Sequence, residues 1–166
     1  MAASKPEPSF ETKICPPGEL AARLKSLKRP LVFTNGVFDI LHRGHVTYLA
    51  RARALGASLL VALNSDASAR ALGKGPDRPV NALEDRLAVV AALEAVTLVT
   101  WFERETPLEL ILAVKPDALV KGGDWKPKAI VGAKEVKSWG GAVHSIPLLA
   151  ERSTTSVIER IRGKPR

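Results

Sequence analysis

The stretch TNGVFDILHRGH at residues 34–45 decides the fold, because it joins a short apolar run to an amphipathic one. The apolar run at residues 31–33 predicts a buried strand, and Gly36 lets the backbone turn tightly after it. From Gly44 onward, apolar side chains recur at helical spacing. They are Tyr48, Leu49, Ala52 and Leu55. The stretch therefore predicts a strand, a turn and the start of a helix.

Two histidines stand at this predicted helix start. His42 and His45 are three residues apart with Gly44 between them, so both imidazoles can project from about one turn of backbone. The N-terminus of a helix favours anions, because its first N–H groups have no partners within the helix. The pattern therefore predicts a phosphate site at the turn.

The chain has the size and composition of one globular domain. Its 166 residues are 46% hydrophobic and 25% charged, enough for a substantial core without disulfides. We expect a flexible arm at residues 1–18 and a domain at residues 19–166. No apolar run reaches the roughly 20 residues of a membrane-crossing helix, and the arm lacks a secretory signal. A cytoplasmic protein without a membrane partner is expected, and the single cysteine, Cys15, receives no role.

The formal net charge of +8 raises the question of a polyanionic partner. The positive residues are scattered, however, and the sequence has no zinc-finger spacing, RNA-recognition motif or basic heptad region. A small phosphorylated substrate explains the excess equally well. A solvated basic surface is favoured over nucleic-acid binding, so no nucleic-acid partner is predicted.

Strands and helices alternate along the rest of the chain. Strands are predicted at residues 31–33, 58–64, 96–102, 118–120 and 142–146. Helices are predicted at residues 20–27, 44–55, from 66, from 81, 106–115, 130–136 and 153–161, and Asn81 with Glu84 looks like a capping box. The alternation predicts an α/β fold, a single Rossmann-like doubly wound parallel sheet of about five strands with helices on both faces. Its ligand crevice should lie at the carboxyl ends of the strands.

Four separate stretches fall at the carboxyl ends of these strands or at helix starts. They are the turn at residues 34–45, the candidate mobile loop at 73–79 with Lys74, the segment 121–125, and the hydroxyl run 153–155. Each carries groups suited to phosphate. Neither a Walker A motif nor a G-x-G-x-x-G motif at the first helix is present, which disfavours a P-loop kinase and a dinucleotide dehydrogenase.

These motifs resemble those of a known family. The turn at residues 34–45 resembles the H-x-G-H signature of the nucleotidylyltransferase superfamily, and Ser153-Thr154-Thr155 resembles the S-T-T element of its cytidylyltransferase-like branch. Within the branch, five segments together resemble the stand-alone heptose 1-phosphate adenylyltransferases, or ADP-heptose synthases. They are residues 34–39, 64–66, 78–81, 106–107 and 120–124. The resemblance covers residues 14–161.

The resemblance implies metal-assisted transfer of an adenylyl group from ATP to heptose 1-phosphate, with release of pyrophosphate. It implies Mg²⁺ bound with the ATP phosphates, no metal ligand among the residues of the chain, and a homodimer. It implies catalytic roles for His42, His45 and Lys74. It implies nucleotide binding by Thr34, Asn35, Gly36, Phe38, Gly44, Lys121, Gly122, Asp124, Ser153, Thr154 and Thr155. It implies substrate binding by Asp39, Asp66, Arg78 and Arg86.

Many of these residues have an ordinary structural alternative, which the sequence leaves open. The alternatives are turn formation for Thr34, Asn35 and Asp39, helix capping for Asp66 and for residues 153–155, a helix-face ion pair for Arg86, solvent exposure for Lys74, and packing for Trp125. His144 stands alone and is expected to be structural. Relatives often carry Gly-Cys or Gly-Ile where this chain has Glu151-Arg152, and Tyr where it has Trp125.

Two other functions remain open at this stage. One is a cytidylyltransferase that acts on glycerol 3-phosphate or another small phosphate. The other is a nucleotide-binding or nucleic-acid-binding module without catalysis. A class I aminoacyl-tRNA synthetase shares a similar turn, but the chain is too short and has no K-M-S-K-S element.

Overall fold

The computed structural model describes residues 8–73, 75–148 and 153–163, and within these ranges the chain forms five strands and seven α-helices. The strands are β1 (Leu31–Gly36), β2 (Ser58–Asn64), β3 (Leu98–Phe102), β4 (Ala118–Gly122) and β5 (Ala142–Ile146). The helices are α1 (Leu20–Leu24), α2 (Arg43–Arg53), α3 (Asp66–Ala71), α4 (Leu83–Ala91), α5 (Leu108–Val114), α6 (Ala133–Ser138) and α7 (Thr154–Ile161). Short 3₁₀ helices lie at Ser9–Lys13, Pro17–Glu19 and Pro127–Ala129. No helix in these ranges has both the length and the apolar character needed to cross a membrane.

The five strands form one parallel sheet in the order β3-β2-β1-β4-β5. Strand β1 lies at the centre, with Thr34 opposite Val61 of β2 and Val120 of β4. The chain builds outward from β1 to β3 and then returns to place β4 on the other side of β1. Ligands of such sheets bind at the carboxyl ends of the strands where this order reverses, which here is the gap between β1 and β4. The predicted α/β fold is confirmed.

Two apolar layers sandwich the sheet, because successive side chains of a strand point to opposite faces. On one face, Val32, Val61 and Val120 pack with Leu49 of α2 and Leu87 of α4. On the other face, Phe33, Leu60 and Leu119 pack with Ile111 of α5 and Val136 of α6. The central strands are buried on both faces, which is why the sequence at residues 58–64 reads as one continuous apolar run.

The strand predictions at residues 58–64 and 142–146 match β2 and β5 at both ends. The predicted capping box at Asn81 is wrong. Helix α4 begins at Leu83, and its N-cap Ala82 makes no side-chain capping bond. The Asn81 amide instead donates to the backbone oxygen of Asp39 at 2.7 Å, because the tertiary fold brings the turn after β1 against this residue.

The described part of the predicted arm, residues 8–18, packs on the domain. Phe10 and Ile14 contact one face of the core, and Cys15 is fully buried in the other. The backbone N–H of Cys15 donates to the oxygen of Val99 at 2.8 Å, and burial raises the pKa of the Cys15 thiol. The sequence predicted a flexible arm, but the apolar side chains of Phe10, Ile14 and Cys15 anchor the described part of this segment on the core. Residues 1–7 lie outside the described residues.

Gly56 lies where the chain passes closely over β1. A Cβ atom at this position would overlap the backbone oxygen of Pro30 and lie 2.7 Å from Cγ2 of Val32. We expect Gly56→Ala to lower the free energy of unfolding by about 1–3 kcal/mol, because the buried backbone must shift. Urea denaturation measures this loss. Gly18→Ala is the matched control, since its Cβ meets no heavy atom within 4 Å, and equal stability of the two variants would contradict the packing described here.

Candidate active site

A crevice of about 570 Å³ opens at the carboxyl edge of the sheet. Its polar wall consists of Asn35, Asp39, His42, His45, Asn64, Arg78, Glu105, Thr106, Lys121, Ser153, Thr154 and Thr155. Residues from all four predicted stretches therefore line one cavity. The loop at residues 73–79 contributes Arg78, whereas Lys74 lies outside the described residues.

The two histidines form the cap of α2. The Nδ1 atom of His42 accepts a hydrogen bond from the Gly44 N–H at 3.1 Å, and Nδ1 of His45 accepts one from the His42 N–H at 3.3 Å. The ring centroids lie 4.0 Å apart. Because Nδ1 of each ring accepts, each neutral ring carries its proton on Nε2. Both rings line the crevice, where an Nε2–H group can donate to a phosphate oxygen.

Gly44 serves this arrangement through its backbone. It is buried and does not line the crevice, and its N–H is the donor that fixes the His42 ring. Backbone N–H groups at the start of α2 thus hold both histidine rings in orientation.

Gly36 and Phe38 form the floor of the turn. Phe38 is buried, adopts a left-handed φ of 50°, and places its ring 5.6 Å from that of His45. A Cβ atom on Gly36 would lie 2.9 Å from the Phe38 ring. Gly36 therefore permits the close approach of this ring, which in turn supports His45. Both residues line the crevice.

Thr34 supports the site from within the core and does not line the crevice. Its hydroxyl bonds to the phenol oxygen of Tyr48, and Tyr48 donates to the backbone oxygen of Val120 at 3.3 Å. Burial raises the pKa of the Tyr48 phenol well above its ordinary value, so the phenol keeps its proton at neutral pH. This network joins β1, α2 and β4. Nucleotide contact by the Thr34 side chain is therefore not supported.

Asp39 is a buried carboxylate that fastens the loop before α4 to the turn. It accepts from Nε of Arg78 at 2.7 Å and from the backbone N–H groups of Val80 and Asn81, each at 2.9 Å. The side chain of Asp39 is 1% exposed and that of Arg78 is 13% exposed. Both residues line the crevice. Because the Asp39 carboxylate is bonded to Arg78 and to the loop backbone, its role is structural.

Arg86 is fully buried and does not line the crevice. Its guanidinium donates to acceptors in four segments of the chain. They are the backbone oxygens of Val37 (2.7 Å), Asn64 (2.9 Å) and Asn81 (3.1 Å), and Oδ1 of Asp66 (2.6 Å). Arg86 is thus engaged within the protein, while the Asp66 side chain stays 34% exposed. The predicted substrate contact of Asp66 stays a prediction. The pattern of α4 gave no sign of the burial of Arg86, since an arginine on an amphipathic helix is normally exposed.

The β4 side of the crevice combines one cation with an apolar wall. Nζ of Lys121 lies 3.5 Å from both the backbone oxygen and Oδ1 of Asn35. The wall consists of Trp125, Ala129, Ile130, Val131 and Leu148. Gly122 leaves room here, because a Cβ would lie 3.1 Å from Leu148 and 3.3 Å from the Tyr48 ring. An apolar wall beside a few polar groups suits a nucleotide base.

Asp124 is exposed and is not part of this wall. The sequence did not identify Ala129, Val131 and Leu148 as part of the crevice wall, because the hydrophobic pattern around them is weak. Glu105 was also not predicted as a site residue, although it lies directly before the predicted helix start at Thr106.

Helix α7 docks its N-terminus on the turn. Ser153 is the N-cap and accepts the N–H of Ser156 at 3.0 Å, while the Thr154 hydroxyl donates to the backbone oxygen of Ile40 at 3.1 Å. Ser153, Thr154 and Thr155 all line the crevice. The capping alternative for Ser153 is confirmed, and it is compatible with N–H groups that face an anion. Glu151 and Arg152, which differ from the Gly-Cys or Gly-Ile of relatives, lie outside the described residues.

The cytidylyltransferase-like family profile matches residues 33–160, which include every described residue of the crevice wall. The chain is a member of the cytidylyltransferase-like family. A D-beta-D-heptose 1-phosphate adenylyltransferase from Bordetella bronchiseptica is 55% identical to it over 155 residues, which are 92% of this chain and 96% of that relative. The bifunctional protein HldE of Hahella chejuensis is 54% identical over 132 residues, and the chain spans 28% of that longer protein.

Two solved structures share the fold of this chain. A lipopolysaccharide core biosynthesis protein from Thermoplasma volcanium superposes with a TM-score of 0.58 at 30% identity, covering 72% of this chain and 95% of that one. A pantothenate synthetase from Thermus thermophilus superposes with a TM-score of 0.58 at 20% identity, covering 87% of this chain and 67% of that one. At 20% identity, the second comparison shows a common fold only.

Removal of the Asp39 carboxylate tests the fastening of the turn. Asp39→Ala leaves the guanidinium of Arg78 and two backbone N–H groups without their acceptor, so we expect a loss of about 3–5 kcal/mol in the free energy of unfolding. Asp77→Ala is the matched control, because its ion pair with Arg162 is more than half exposed on both sides and should contribute at most about 1 kcal/mol. Urea denaturation of both variants measures the difference, and equal losses would contradict the buried role of Asp39.

Proposed function

We infer that the chain transfers the adenylyl group of ATP to D-glycero-β-D-manno-heptose 1-phosphate and produces ADP-heptose and pyrophosphate. This inference rests on the near full-length likeness, at 55% identity, to a relative named for heptose 1-phosphate adenylyl transfer. The crevice supports it with two imidazoles, a lysine and a helix N-terminus in one cavity. The product would serve as a precursor of the lipopolysaccharide core.

The transfer requires no covalent nucleophile from the protein. A phosphate oxygen of heptose 1-phosphate forms a bond to the α-phosphorus of ATP, and the bond from this phosphorus to the bridging oxygen of the β-phosphate breaks. Pyrophosphate leaves with that electron pair. Such a reaction depends on positioning and on neutralisation of the charge that develops on the phosphate oxygens.

His42 and His45 are the residues placed to stabilise that charge. Their Nδ1 atoms are fixed by the backbone of α2, so the Nε2–H groups are held in orientation before the substrate arrives. Donors that are already oriented stabilise a transition state without a cost of reorganisation. Lys121 and the start of α7 complete the cationic surroundings of the phosphates, and the apolar wall beside β4 accommodates the adenine. The catalytic role of Lys74 stays a prediction.

We propose that Mg²⁺ reaches the site with ATP. Mg²⁺ usually keeps several waters and binds through substrate phosphates with only one or two carboxylates from the protein. When bound, Mg²⁺ neutralises phosphate charge. The side chains described above then hold the triphosphate in place.

A homodimer and a cytoplasmic location are further proposals. Val80 and Ile161 are exposed apolar side chains that line a second groove of the domain together with Ile158. Apolar surface of this kind is common where proteins associate. Light scattering of the purified protein measures the assembly, and a monomer at all concentrations would contradict the dimer.

The function is tested by pyrophosphate release from ATP and heptose 1-phosphate. The wild type should turn over, and His45→Ala should lower kcat by about 10²–10³-fold, because it removes one preoriented donor. His144→Ala is the matched control, since His144 lies on β5 outside the crevice and should leave kcat unchanged. An inert wild type, or a fully active His45→Ala variant, would reject the proposal.

Chelation tests the cation. EDTA in excess should abolish pyrophosphate release, because the charge of the triphosphate is then no longer neutralised. Mg²⁺ added in excess over the chelator should restore the activity. Undiminished turnover in EDTA would contradict the proposed cofactor.

The same assay with CTP and glycerol 3-phosphate addresses the cytidylyltransferase alternative. We expect lower kcat/KM for both replacements. Higher kcat/KM with CTP and glycerol 3-phosphate than with ATP and heptose 1-phosphate would establish the alternative.

A further inference from the structure

Charge is distributed unequally along the crevice. The imidazoles of His42 and His45 lie beside the central strand β1, and Lys121 lies on the β4 side. On the opposite side, the segment after β3 contributes Glu105 and Thr106. Neighbouring strands are about 4.8 Å apart, so the ends of β1 and β3 are separated by roughly 10 Å. The crevice therefore has imidazole hydrogen-bond donors at its centre, a lysine on the β4 side and a carboxylate at the end beside β3.

The segment that carries Glu105 is held by a buried relay. Nδ2 of Asn64 donates to Oγ of Ser68 at 2.9 Å, and Oγ of Ser68 donates to the backbone oxygen of Arg104 at 2.8 Å. Asn64 and Ser68 are both buried, and Asn64 itself lines the crevice. On the other side of Glu105, the buried Pro107 precedes α5. The backbone next to Glu105 is thus tied to the end of β2, while the Glu105 side chain itself is exposed where it lines the crevice.

The carboxylate of Glu105 has no partner among the residues that the structure describes. Within the part of the chain that the structure describes, it forms no ion pair and no hydrogen bond, while its neighbour Arg104 pairs with Glu109 at 3.3 Å. A carboxylate only accepts hydrogen bonds and repels a phosphate group. This end of the crevice is therefore suited to a neutral part of a substrate that donates hydrogen bonds. The hydroxyl groups of a sugar have this chemistry.

We propose that Glu105 and Thr106 bind hydroxyl groups of the sugar acceptor and that Glu105 determines the selection of a polyhydroxylated acceptor. This assignment rests on the proposed function, since it concerns the same crevice. The apolar wall on the β4 side takes the base, and the histidines take the reacting phosphate. The body of the sugar then extends toward β3, where the Glu105 carboxylate accepts from its hydroxyls and the Thr106 hydroxyl donates or accepts.

Steady-state kinetics of pyrophosphate release test the assignment. The variants are Glu105→Ala, Glu105→Gln and Thr106→Val, with Glu103→Ala as the matched control, because Glu103 is exposed nearby but does not line the crevice. We expect Glu105→Ala to raise KM for heptose 1-phosphate by about 10-fold or more, the effect of losing hydrogen bonds to a charged group. Glu105→Gln and Thr106→Val should give smaller increases. KM for ATP should stay unchanged in all four variants.

A second measurement separates selection from general damage. The ratio of kcat/KM for heptose 1-phosphate to that for glycerol 3-phosphate should fall in Glu105→Ala and stay constant in Glu103→Ala. An active wild type with an unchanged acceptor KM in Glu105→Ala would overturn the assignment and leave the proposed function intact. An increase in KM for ATP instead would also overturn it. A wild type that is inert with ATP and heptose 1-phosphate would overturn the proposed function itself and, with it, this assignment.

Discussion

The buried guanidinium of Arg86 is the constraint on which the geometry of the crevice depends. A charged group without solvent is tolerated only when its donors are satisfied, and Arg86 satisfies them with Val37, Asn64, Asn81 and Asp66. These acceptors belong to the turn after β1, the end of β2, the segment before α4 and the start of α3. The four segments must therefore keep fixed relative positions for as long as the guanidinium stays buried.

Two further contacts extend this constraint to the reacting groups. Asp39 fastens the loop before α4 to the turn, and the Thr34–Tyr48 pair joins β1 to α2 and β4. The histidines line the crevice, whereas the Asp39 carboxylate and the Thr34 hydroxyl are engaged with other parts of the protein. This separation suits phosphoryl transfer, in which the protein contributes position and charge more than covalent chemistry.

The sequence predicted the fold well because the fold depends on local and periodic signals. Continuous apolar runs marked strands buried on both faces, and the glycines and histidines at residues 34–45 marked the turn. It predicted the location of the site for the same reason, since parallel strands bring their carboxyl ends to one edge. It did not separate residues that touch a ligand from residues that support them. Thr34 and Arg86 belong to the motifs, but their burial is set by tertiary packing that no local pattern records.

The N-terminal segment and Glu105 also have positions that depend on tertiary contacts and that the sequence did not predict. A flexible arm was predicted at residues 1–18, whereas Phe10, Ile14 and Cys15 pack on the two faces of the core, which later parts of the chain complete. Glu105 lies directly before the predicted helix start at Thr106, but the backbone beside it is tied to the crevice by the relay from Asn64 through Ser68 to the backbone oxygen of Arg104. In both cases the decisive contact joins residues distant in sequence.

The account is tested most directly by a crystal structure of the chain with a non-hydrolysable ATP analogue and heptose 1-phosphate. It predicts the α-phosphate within hydrogen-bonding distance of Nε2 of His42 and His45, the adenine on the wall beside β4, and the sugar directed toward β3. A triphosphate bound away from the histidines, or a base and a sugar on exchanged sides of the crevice, would contradict it.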